Sequence, residues 1–366
     1  MEKKRVTLKD VAVAAGSNLA TVHCALNHKP GVSKEARERI LRVAEEMGYR
    51  TNHIASALKR KSIHFIVVLP EATCGGRFYY PKLWQGQRDF FQSMSDFHVT
   101  VDERSYPRIE GEYLANSLQQ ALDACALPVD GVITMGMDHP KVKAVMDQLA
   151  QQNIPIMLVG TDAFKDKRFC CVRSDNYQAG NMAAELLMMC GVHDGQILID
   201  AGDPASDDHY HNMNGFEAYF RQQNVPVELI KMYHFHDQEK MYEHTAQALR
   251  DMPNVTALYS CTARNALPMC QALKEAGLAG KVKMIGNDVF AESREYLNQG
   301  VMQALIHKSP YQQSHLAASI LFDFVIKNEY PPSADIMIPP TVALKGNAEQ
   351  CMHDDRYHIA PVETVE

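Results

Sequence analysis

The chain has 366 residues, of which 46% are hydrophobic and 22% charged, so it can form two or three domains and is neither disordered nor fibrous. Its apolar runs, such as residues 65–69, are far shorter than the roughly 20 residues of a membrane helix, and no apolar leader follows residues 1–5. Together with nine cysteines that form no C-x-x-C pair, this predicts a cytoplasmic protein without a membrane partner, a disulfide framework, a structural metal or a cofactor.

The net charge of −7 conceals an asymmetry along the chain. Residues 1–61 carry 13 Lys and Arg against 6 Asp and Glu, whereas the remainder carries 24 against 38. A basic end on an acidic body is typical of a nucleic-acid-binding head, because binding to phosphates is the main reason to concentrate basic residues in this way. A solvated basic terminus is the alternative.

Three short helices are predicted in the basic end. Thr7 begins the first, Asn18 caps a second that runs to about Leu26, and Ser33 caps a third over residues 34–47. Two short helices joined by a tight turn, with a third behind them, form a helix-turn-helix whose second helix enters the major groove of DNA.

This region resembles the head of the lac/galactose repressor (LacI/GalR) family, and the matching segments are 6–12, 15–16, 21–22, 26–27, 29–33 and 48–49. The resemblance implies a DNA-binding transcriptional regulator. It assigns DNA contacts in the head to Thr7, Asn18, Leu19, Ala20, Thr21, His23, Asn27 and Ser33. His23 and Cys24 stand where the family usually has Ser-Arg, so the arginine that would read guanine is absent and a typical operator sequence is not expected.

Residues 52–58 are similar to the hinge helix of that family. A helix of about seven residues does not persist alone, so it would order only with DNA and a partner subunit present. The resemblance implies minor-groove contacts from Asn52 and Ala55, a wedge between base steps from Leu58 and phosphate attraction from Lys59. Packing of Leu58 on the domain below is the alternative.

Short β-rich runs alternate with amphipathic helical runs from residue 63 onward. Strands are predicted at 64–69, 99–101, 131–134, 155–159, 196–199, 257–259 and 282–285, and helices at 82–94, 111–125, 140–151, 177–190 and 239–252. This alternation predicts one or two doubly wound parallel sheets, with ligands beyond the carboxyl ends of the strands.

The second part of the chain resembles the family's effector-binding core, which is like periplasmic sugar-binding proteins with two α/β lobes around a cleft. The resulting division is a helix-turn-helix domain (1–50), a hinge (51–62), a core (63–350) and a tail (351–366). Within the core, lobe 1 is expected at about 63–172 and 302–333, and lobe 2 at 173–301 and 334–350.

The resemblance places five side chains at the cleft. Tyr79 and Tyr80 would stack on a sugar or a base, and Asp288 would accept hydrogen bonds from a polyol. Asp138 and Asp175 lie at other strand-end loops with weaker claims. Loop packing for the tyrosines and a structural cap for Asp288 are the alternatives.

Three cleft positions depart from the family pattern. Asn212 replaces an arginine, Thr262 with Ala263 replaces an Asn-Asp pair, and Lys308 replaces a glutamine. The loss of an arginine from one lobe and the gain of a lysine move positive charge to the opposite lobe. This change predicts a sugar acid, an amino sugar derivative or a nucleoside as the ligand. A conventional monosaccharide and a regulator without an effector remain open.

Two histidine pairs, His209 with His211 and His234 with His236, could each place two imidazoles on one face of a strand and so bind a metal. The chain has 16 histidines and no zinc-type spacing, so chance solvation is the preferred interpretation.

The sequence as a whole predicts an all-α helix-turn-helix head on a two-lobed, doubly wound α/β core. The expected protein is a homodimeric repressor that binds a pseudo-palindromic double-stranded operator and responds to a small, carbohydrate-like effector. Catalytic motifs are absent from the sequence, so no enzymatic activity and no catalytic residue are expected. A stand-alone solute-binding protein, a repressor that has lost its effector and, more remotely, a hydrolase are the alternatives.

Overall fold

A computed structural model describes residues 6, 8–26, 32–47, 62–73, 77–204 and 206–353. The chain divides into two compact units, a head within residues 1–61 and a core from residue 62 onward. Residues 51–61 of the predicted hinge (51–62) and most of the predicted tail (351–366) lie outside the described residues. No helix in the described ranges is long and apolar enough to cross a membrane.

The head contains three helices, α1 (Leu8–Ala14), α2 (Leu19–Leu26) and α3 (Lys34–Glu46). Their inner faces form one small core in which Val11, Val22 and Ile40 are fully buried. The Arg37 guanidinium donates hydrogen bonds to the backbone carbonyls of Cys24 and Ala25, at 3.4 and 3.0 Å, and so ties α3 to the end of α2. The three predicted helices are therefore present.

The core alternates strands and helices. Its elements are β1 (Ile63–Pro70), α4 (Tyr80–Ser93), β2 (Val99–Tyr106), α5 (Gly111–Ala124), β3 (Gly131–Thr134), α6 (Pro140–Gln151), β4 (Ile156–Val159), β5 (Cys170–Ser174), α7 (Asn176–Met189), β6 (Gly195–Asp200), α8 (Asp207–Gln222), β7 (Val227–Met232), α9 (Gln238–Asp251), β8 (Val255–Ser260), α10 (Ala263–Glu275), β9 (Lys283–Asn287), α11 (Ala291–Asn298), β10 (Ala304–His307), α12 (Pro310–Lys327), β11 (Asp335–Ile338), β12 (Thr341–Ala343) and α13 (Ala348–Met352). Strands β5, β7 and β10–β12 and helices α8 and α10–α13 are not among the elements predicted from the sequence.

Two sheets form the two lobes. The first-lobe sheet has the order β11-β5-β4-β3-β1-β2 and is parallel throughout. The second-lobe sheet has the order β12-β10-β9-β8-β6-β7, and only the β10–β12 pair is antiparallel. All eight residues of β1 are buried, as expected for a parallel strand covered on both faces by helices.

The chain crosses between the lobes three times, and two crossings differ from the prediction. β10 pairs in the second-lobe sheet, so the predicted return to lobe 1 at residue 302 is wrong and occurs at 308–309. β11 pairs in the first-lobe sheet, so the return to lobe 2 occurs at 339–340 and not at 334. The first crossing, at 174–176, lies close to the predicted one. We call these three segments the crossovers.

Helices α7 and α8 approach each other closely in the second lobe. A Cβ atom on Gly180 would lie 1.8 Å from the carbonyl oxygen of Asn212, and one on Gly215 would lie 1.9 Å from that of Tyr177. Glycine is needed at both positions because the backbone of the facing helix occupies the space that a side chain would take. This contact fixes the beginning of α8, which carries several cavity residues described below.

Candidate functional site

The head exposes part of α2 and buries the rest. Leu19 is 50% exposed and Ala20 is also exposed, whereas Val22 and Ala25 are buried. Thr21 is half-buried. Two of the predicted DNA contacts, Leu19 and Ala20, therefore lie on the outer surface of the second helix.

Asn18 and Ser33 have structural roles in the head. The Asn18 side chain accepts a hydrogen bond from the backbone N–H of Thr21 at 2.7 Å, and the Ser33 hydroxyl accepts one from Ala36 at 3.3 Å. Both act as the predicted helix N-caps, and their contact with DNA stays a prediction. The remaining predicted DNA contacts lie outside the described residues or, for His23, have an undescribed side chain: Thr7, His23, Asn27, Asn52, Ala55, Leu58 and Lys59.

The two lobes enclose a cavity of about 440 Å³, which we call the interlobe cavity. Its volume lies in the range of small-molecule sites. Six of the eight side chains predicted for the cleft line it, namely Tyr79, Tyr80, Asp138, Thr262, Asp288 and Lys308.

Asp175 and Asn212 do not line the interlobe cavity, so their prediction as ligand contacts is wrong. The Asp175 carboxylate is the N-cap of α7 and accepts a hydrogen bond from the backbone N–H of Gln178 at 2.9 Å. Asn212 is fully buried between α7 and β8, where its side-chain oxygen accepts a hydrogen bond from the hydroxyl of Tyr259 at 2.5 Å. Sequence position alone did not reveal that the Asp175 side chain caps a helix and that the Asn212 side chain is buried.

Tyr79 and Tyr80 form the first-lobe wall of the interlobe cavity. Their rings lie edge to face with centroids 5.6 Å apart, and the Tyr79 hydroxyl donates a hydrogen bond to Gln313 at 3.1 Å. Burial raises the pKa of both phenols well above the usual value, and the negative charges of Asp208 and, for Tyr79, Asp288 raise it further. The two rings are therefore neutral donors that face carboxylates of the second lobe.

Asp288 and Lys308 lie together on the second-lobe side. Asp288 is 4% exposed and adopts a left-handed backbone conformation with φ of 61°, and its carboxylate accepts a hydrogen bond from the backbone N–H of Lys308 at 3.3 Å. The Lys308 ammonium donates to the backbone carbonyl of Cys261 at 3.3 Å. The predicted cation is present, but it already has a protein acceptor.

Thr262 is a helix cap as well as a cavity residue. Its hydroxyl accepts a hydrogen bond from the backbone N–H of Asn265 and donates one to the fully buried carboxylate of Asp200 at 2.7 Å. Ser260 and Asn265 also donate to Asp200, at 2.7 and 3.0 Å. Burial raises the pKa of Asp200, and these hydrogen bonds oppose that effect.

The beginning of α8 was not predicted to lie at the cavity, and His209 was considered there only as a metal ligand. Asp207, Asp208 and His209 follow the N-cap Ser206 and all line the interlobe cavity. A serine cap followed by two acidic residues is a helix-start signal, and it could have located α8.

Asp208 is the most perturbed of these residues. Its side chain is 13% exposed, one carboxylate oxygen has no hydrogen-bond partner, and the nearest guanidinium nitrogen, that of Arg173, is 3.8 Å away. Burial raises the pKa of Asp208 to about 7, although Lys308 and Arg173 act in the opposite direction.

His209 is held neutral beside Asp208. Its Nδ1 accepts a hydrogen bond from the backbone N–H of Asp203 at 2.9 Å, and its ring contacts Phe235 with centroids 5.0 Å apart. Burial lowers the pKa of His209 to about 4, and the positive charge of Lys308 lowers it further. His209 therefore presents its other ring nitrogen as a donor at neutral pH.

The histidine pairs are not on strands. His209 and His211 lie on α8, where residues two apart point in different directions, so the idea of one metal-binding face is wrong for this pair. His234 instead lies 2.7 Å from His244, measured between ring nitrogens. Within the described ranges, no group of three metal-ligating side chains comes together.

The crossovers contribute polar groups to the interlobe cavity. Ser174 and Asn176 are 2% and 4% exposed and line the cavity, and neither the Ser174 hydroxyl nor the Asn176 side-chain oxygen has a hydrogen-bond partner. Lys308 lies at the second crossover. A ligand in the cavity would thus contact segments that connect the lobes.

One side of the interlobe cavity is closed by contacts between the lobes. The rings of Phe78 from the first lobe and Phe290 from the second lie 4.5 Å apart, and Ala263 packs against them. Next to this pair, Arg77 and Glu292 form an exposed ion pair. We call the Phe78–Phe290 pair the aromatic latch.

Two protein families match this chain in separate regions. The lacI family of bacterial regulatory proteins matches residues 7–52, and the periplasmic binding protein domain matches residues 95–329. The second match covers more than half of the chain. The chain belongs to the periplasmic binding protein domain family. Its head is a lacI-family helix-turn-helix, so the recognition made from the sequence is confirmed.

Curated relatives of this periplasmic-binding-protein family member include a transcriptional regulator and an operon repressor. Catabolite control protein A of Staphylococcus epidermidis is 28% identical over 51% of this chain and 53% of that protein. HTH-type transcriptional regulator DegA of Bacillus subtilis is 24% identical over 75% of this chain and 78% of its own length. The ribose operon repressor of Halalkalibacterium halodurans is 26% identical, covering 75% and 76%. None of these names describes an enzyme, and the match spans about half the length of the first protein.

Solved structures with the same fold as this periplasmic-binding-protein core include a sugar-binding protein and a putative transcriptional regulator. GanP, a glucose-galactose binding protein from Geobacillus stearothermophilus, superposes with a TM-score of 0.69 at 22% identity, covering 79% of this chain and 99% of that one. A putative LacI transcriptional regulator from Bacteroides fragilis superposes with a TM-score of 0.68 at 20% identity, and it also covers 79% of this chain and 99% of its own. The predicted fold class, two α/β lobes behind a helix-turn-helix head, is confirmed.

Proposed function

We propose that this protein is a homodimeric transcriptional repressor of the bacterial cytoplasm that binds a pseudo-palindromic operator and changes its operator affinity when a small polyhydroxylated effector enters the interlobe cavity. The observation that carries the proposal is the joining of a lacI-family head to a two-lobed core with a polar cavity. Regulators of this composition are named among its relatives, including a ribose operon repressor.

The head supports binding in the major groove. The exposed side of α2 presents Leu19 and Ala20, whose small apolar groups suit the methyl group of thymine, while Val22 and Ala25 anchor the helix to the head core. A symmetric dimer would place two such helices on two half-sites of opposite orientation.

The crossovers supply the physical link between effector and DNA affinity. A ligand that bridges both lobes stabilises one arrangement of the lobes relative to others, and operator affinity changes by the difference in ligand affinity between those arrangements. Ser174, Asn176 and Lys308 place polar groups of two crossovers in contact with the ligand volume.

The two alternatives are disfavoured by separate observations. A stand-alone solute-binding protein has no use for the helix-turn-helix head. A repressor without an effector would keep buried acceptors at Ser174, Asn176 and Asp208 unsatisfied, and each such group costs about 1–3 kcal/mol.

Selection of binding sites from random duplex DNA tests the DNA-binding half of the proposal. We expect the purified protein to enrich a sequence with two-fold symmetry. Leu19→Ala should weaken binding to that sequence about tenfold, since a lost base contact is worth about 1–3 kcal/mol. Val13→Ala is the matched control, because Val13 is 76% exposed on α1 and lies outside the recognition helix. Enrichment of no symmetric site would contradict the proposal.

Asp288 tests the effector half. Asp288→Asn preserves the left-handed backbone conformation, which asparagine tolerates, and removes only the charge. We expect this variant to bind the selected operator as the wild type does and to lose its response to effector. An unchanged response would show that the Asp288 carboxylate does not bind the effector.

A further inference from the structure

The interlobe cavity is strongly acidic. Among the described residues, its lining includes the carboxylates of Glu110, Asp138, Asp162, Asp203, Asp207, Asp208 and Asp288, but only two cations, Lys308 and Arg264. Asp162 is neutralised by a buried ion pair with Arg168, at 2.5 Å, and Asp208 lies 3.8 Å from the Arg173 guanidinium, which leaves five other carboxylates against two cations in the lining. Because these carboxylates surround one small volume, an anionic ligand is repelled and a cationic one is attracted.

The two cations already have acceptors. The Lys308 ammonium donates to the carbonyl of Cys261, and a terminal nitrogen of Arg264 donates to the carbonyl of Phe235, each at 3.3 Å. The Nε of Arg264 has no acceptor, and one hydrogen bond leaves further N–H groups of Arg264 and Lys308 able to donate to ligand oxygens. The two cations can therefore bind hydroxyl groups of a ligand, but the carboxylates of the lining outnumber them.

The unpartnered groups of the cavity are mainly acceptors. The Asn176 side-chain oxygen and one oxygen of Asp208 have no donor, and the Ser174 hydroxyl has no partner either. Ser174 and Asn176 are more than nine-tenths buried, so their oxygens have been removed from water without compensation. A ligand that donates several hydrogen bonds to this corner would satisfy them.

The rings of Tyr79 and Tyr80 line the same interlobe cavity. The charge of Asp208 acts on both phenols, which places the carboxylate and the two rings around the same volume. Aromatic rings beside a carboxylate form a setting that stabilises an ammonium group and also packs against the apolar face of a sugar.

We propose that the effector is a polyhydroxylated amine, such as an amino sugar, whose ammonium group binds Asp208 with Ser174 and Asn176 and whose hydroxyls bind the remaining carboxylates. The regulatory meaning of this inference rests on the proposed function. Of the three ligand classes that the sequence left open, the charge of the cavity favours the amino sugar and disfavours the sugar acid.

Calorimetric titration with matched hexose derivatives tests the proposal. The probes are hexosamines of the gluco, galacto and manno series, the parent hexoses, the N-acetylhexosamines and the hexonic acids. We expect at least one hexosamine to bind about tenfold more tightly than its parent hexose and its N-acetyl derivative, and the hexonic acids to bind most weakly.

Asp208→Asn and Asp207→Asn form a matched pair of variants for the same titration. Asp208→Asn should abolish the preference for the hexosamine over the parent hexose, whereas Asp207→Asn should keep it, because Asp207 is 58% exposed and lies against His211. An equal preference in both variants overturns the assignment of Asp208.

Three outcomes overturn the ligand class: a parent hexose that binds as tightly as its amine, a hexonic acid that binds best, or no hexosamine that binds at millimolar concentration. None of them affects the selection of operator DNA. Failure of the inference is therefore distinguishable from failure of the proposed function, which the DNA selection decides.

Discussion

Asp208 shows how burial changes the chemistry of one side chain. An exposed aspartate is ionised at neutral pH, but removal from water penalises the charged form, and the charges of Lys308 and Arg173 compensate only in part. The charge of Lys308 also acts on the neighbouring His209, whose neutral form is favoured by burial and by that positive charge. The two residues therefore influence stability in opposite directions as the pH changes.

Asp208→Asn should stabilise the protein at high pH. The pKa of Asp208 is raised in the folded state to about 7, so the folded protein binds the proton more tightly than the unfolded chain, and stability falls as the pH rises from about 4 to 7. At pH 8 the free energy of unfolding of the variant should exceed that of the wild type by about 2 kcal/mol, and the difference should vanish near pH 4. Urea denaturation at both pH values measures it. The groups whose charges act at this position are Lys308, Arg173, Asp207, Tyr79, Tyr80 and Cys171.

The control for this experiment is Asp207→Asn, which changes an exposed carboxylate of the same helix turn. It should not change the dependence of stability on pH in this window. If Asp208→Asn leaves the curve unchanged as well, the carboxylate is hydrated in solution and the effect of burial is absent.

His209→Asn should flatten the acid side of the stability curve. The pKa of His209 is lowered in the folded state to about 4. The contribution of the neutral imidazole to stability is therefore complete above about pH 6.5 and is lost as the pH falls toward 4. Asparagine keeps an acceptor for the backbone N–H of Asp203 and does not titrate. We expect the wild type to lose on the order of 2 kcal/mol more than the variant between pH 6.5 and 4. His211→Asn, at an exposed position of the same helix, should retain the wild-type loss.

At the scale of the element, the pairing of α7 with α8 determines where the beginning of α8 lies. Gly180 and Gly215 allow the two backbones to meet, and β6 lies behind them with buried Ile197 and Ile199. Local propensity opposes glycine within a helix by about 1 kcal/mol relative to alanine. Packing overrides that preference here, because any side chain would meet backbone atoms.

Gly180→Ala should therefore destabilise the protein, although alanine is the better helix former. The new Cβ would lie 1.8 Å from the carbonyl oxygen of Asn212, so α7 and α8 must separate, and we expect a loss of about 3 kcal/mol. Thermal denaturation measures the change. Gly346→Ala, where an added Cβ meets nothing within 4 Å, is the control and should leave the melting temperature close to that of the wild type.

At the scale of the whole core, the three crossovers and the aromatic latch connect the two lobes. The crossovers connect them through the backbone, whereas Phe78 and Phe290 connect them through a ring contact. Only a small apolar cluster forms the latch, so the free energy that holds it closed is limited to the burial of a few side chains.

Phe78→Ala should open the interlobe cavity without unfolding either lobe. Loss of the ring contact removes about 2–3 kcal/mol of the free energy that apolar burial contributes to the latch. Amide hydrogen exchange should increase in residues 77–80 and 288–293 and stay unchanged in the strands β1 and β8. Phe169→Ala is the control, because Phe169 packs on Phe324 within the first lobe, with centroids 4.3 Å apart. Faster exchange in both variants would mean general destabilisation and would contradict the role of the latch.

Much of this protein could be predicted from local sequence signals. The caps at Asn18 and Ser33 and the spacing of the buried residues predicted the head helices, because these interactions join residues only three or four positions apart. Within the core, the bounds of β3 and α6 agree with the prediction at both ends. The residues of these elements carry the signal themselves, as apolar periodicity and turn residues.

Only the tertiary structure decided which side chains meet at the interlobe cavity. The family pattern places Asp175 and Asn212 at the cavity, but the Asp175 carboxylate caps α7 and the buried Asn212 side chain binds Tyr259. Asp208 reaches the cavity only because α8 begins where α7 and the first crossover allow it. The two misplaced crossovers have the same cause, since the sheet in which β10 and β11 pair depends on partners more than 15 residues away. Local sequence therefore determined the head helices, the alternation of strands and helices in the core and the type of protein. The pKa of Asp208 and the composition of the cavity depend on contacts between distant segments, which only the folded chain brings together.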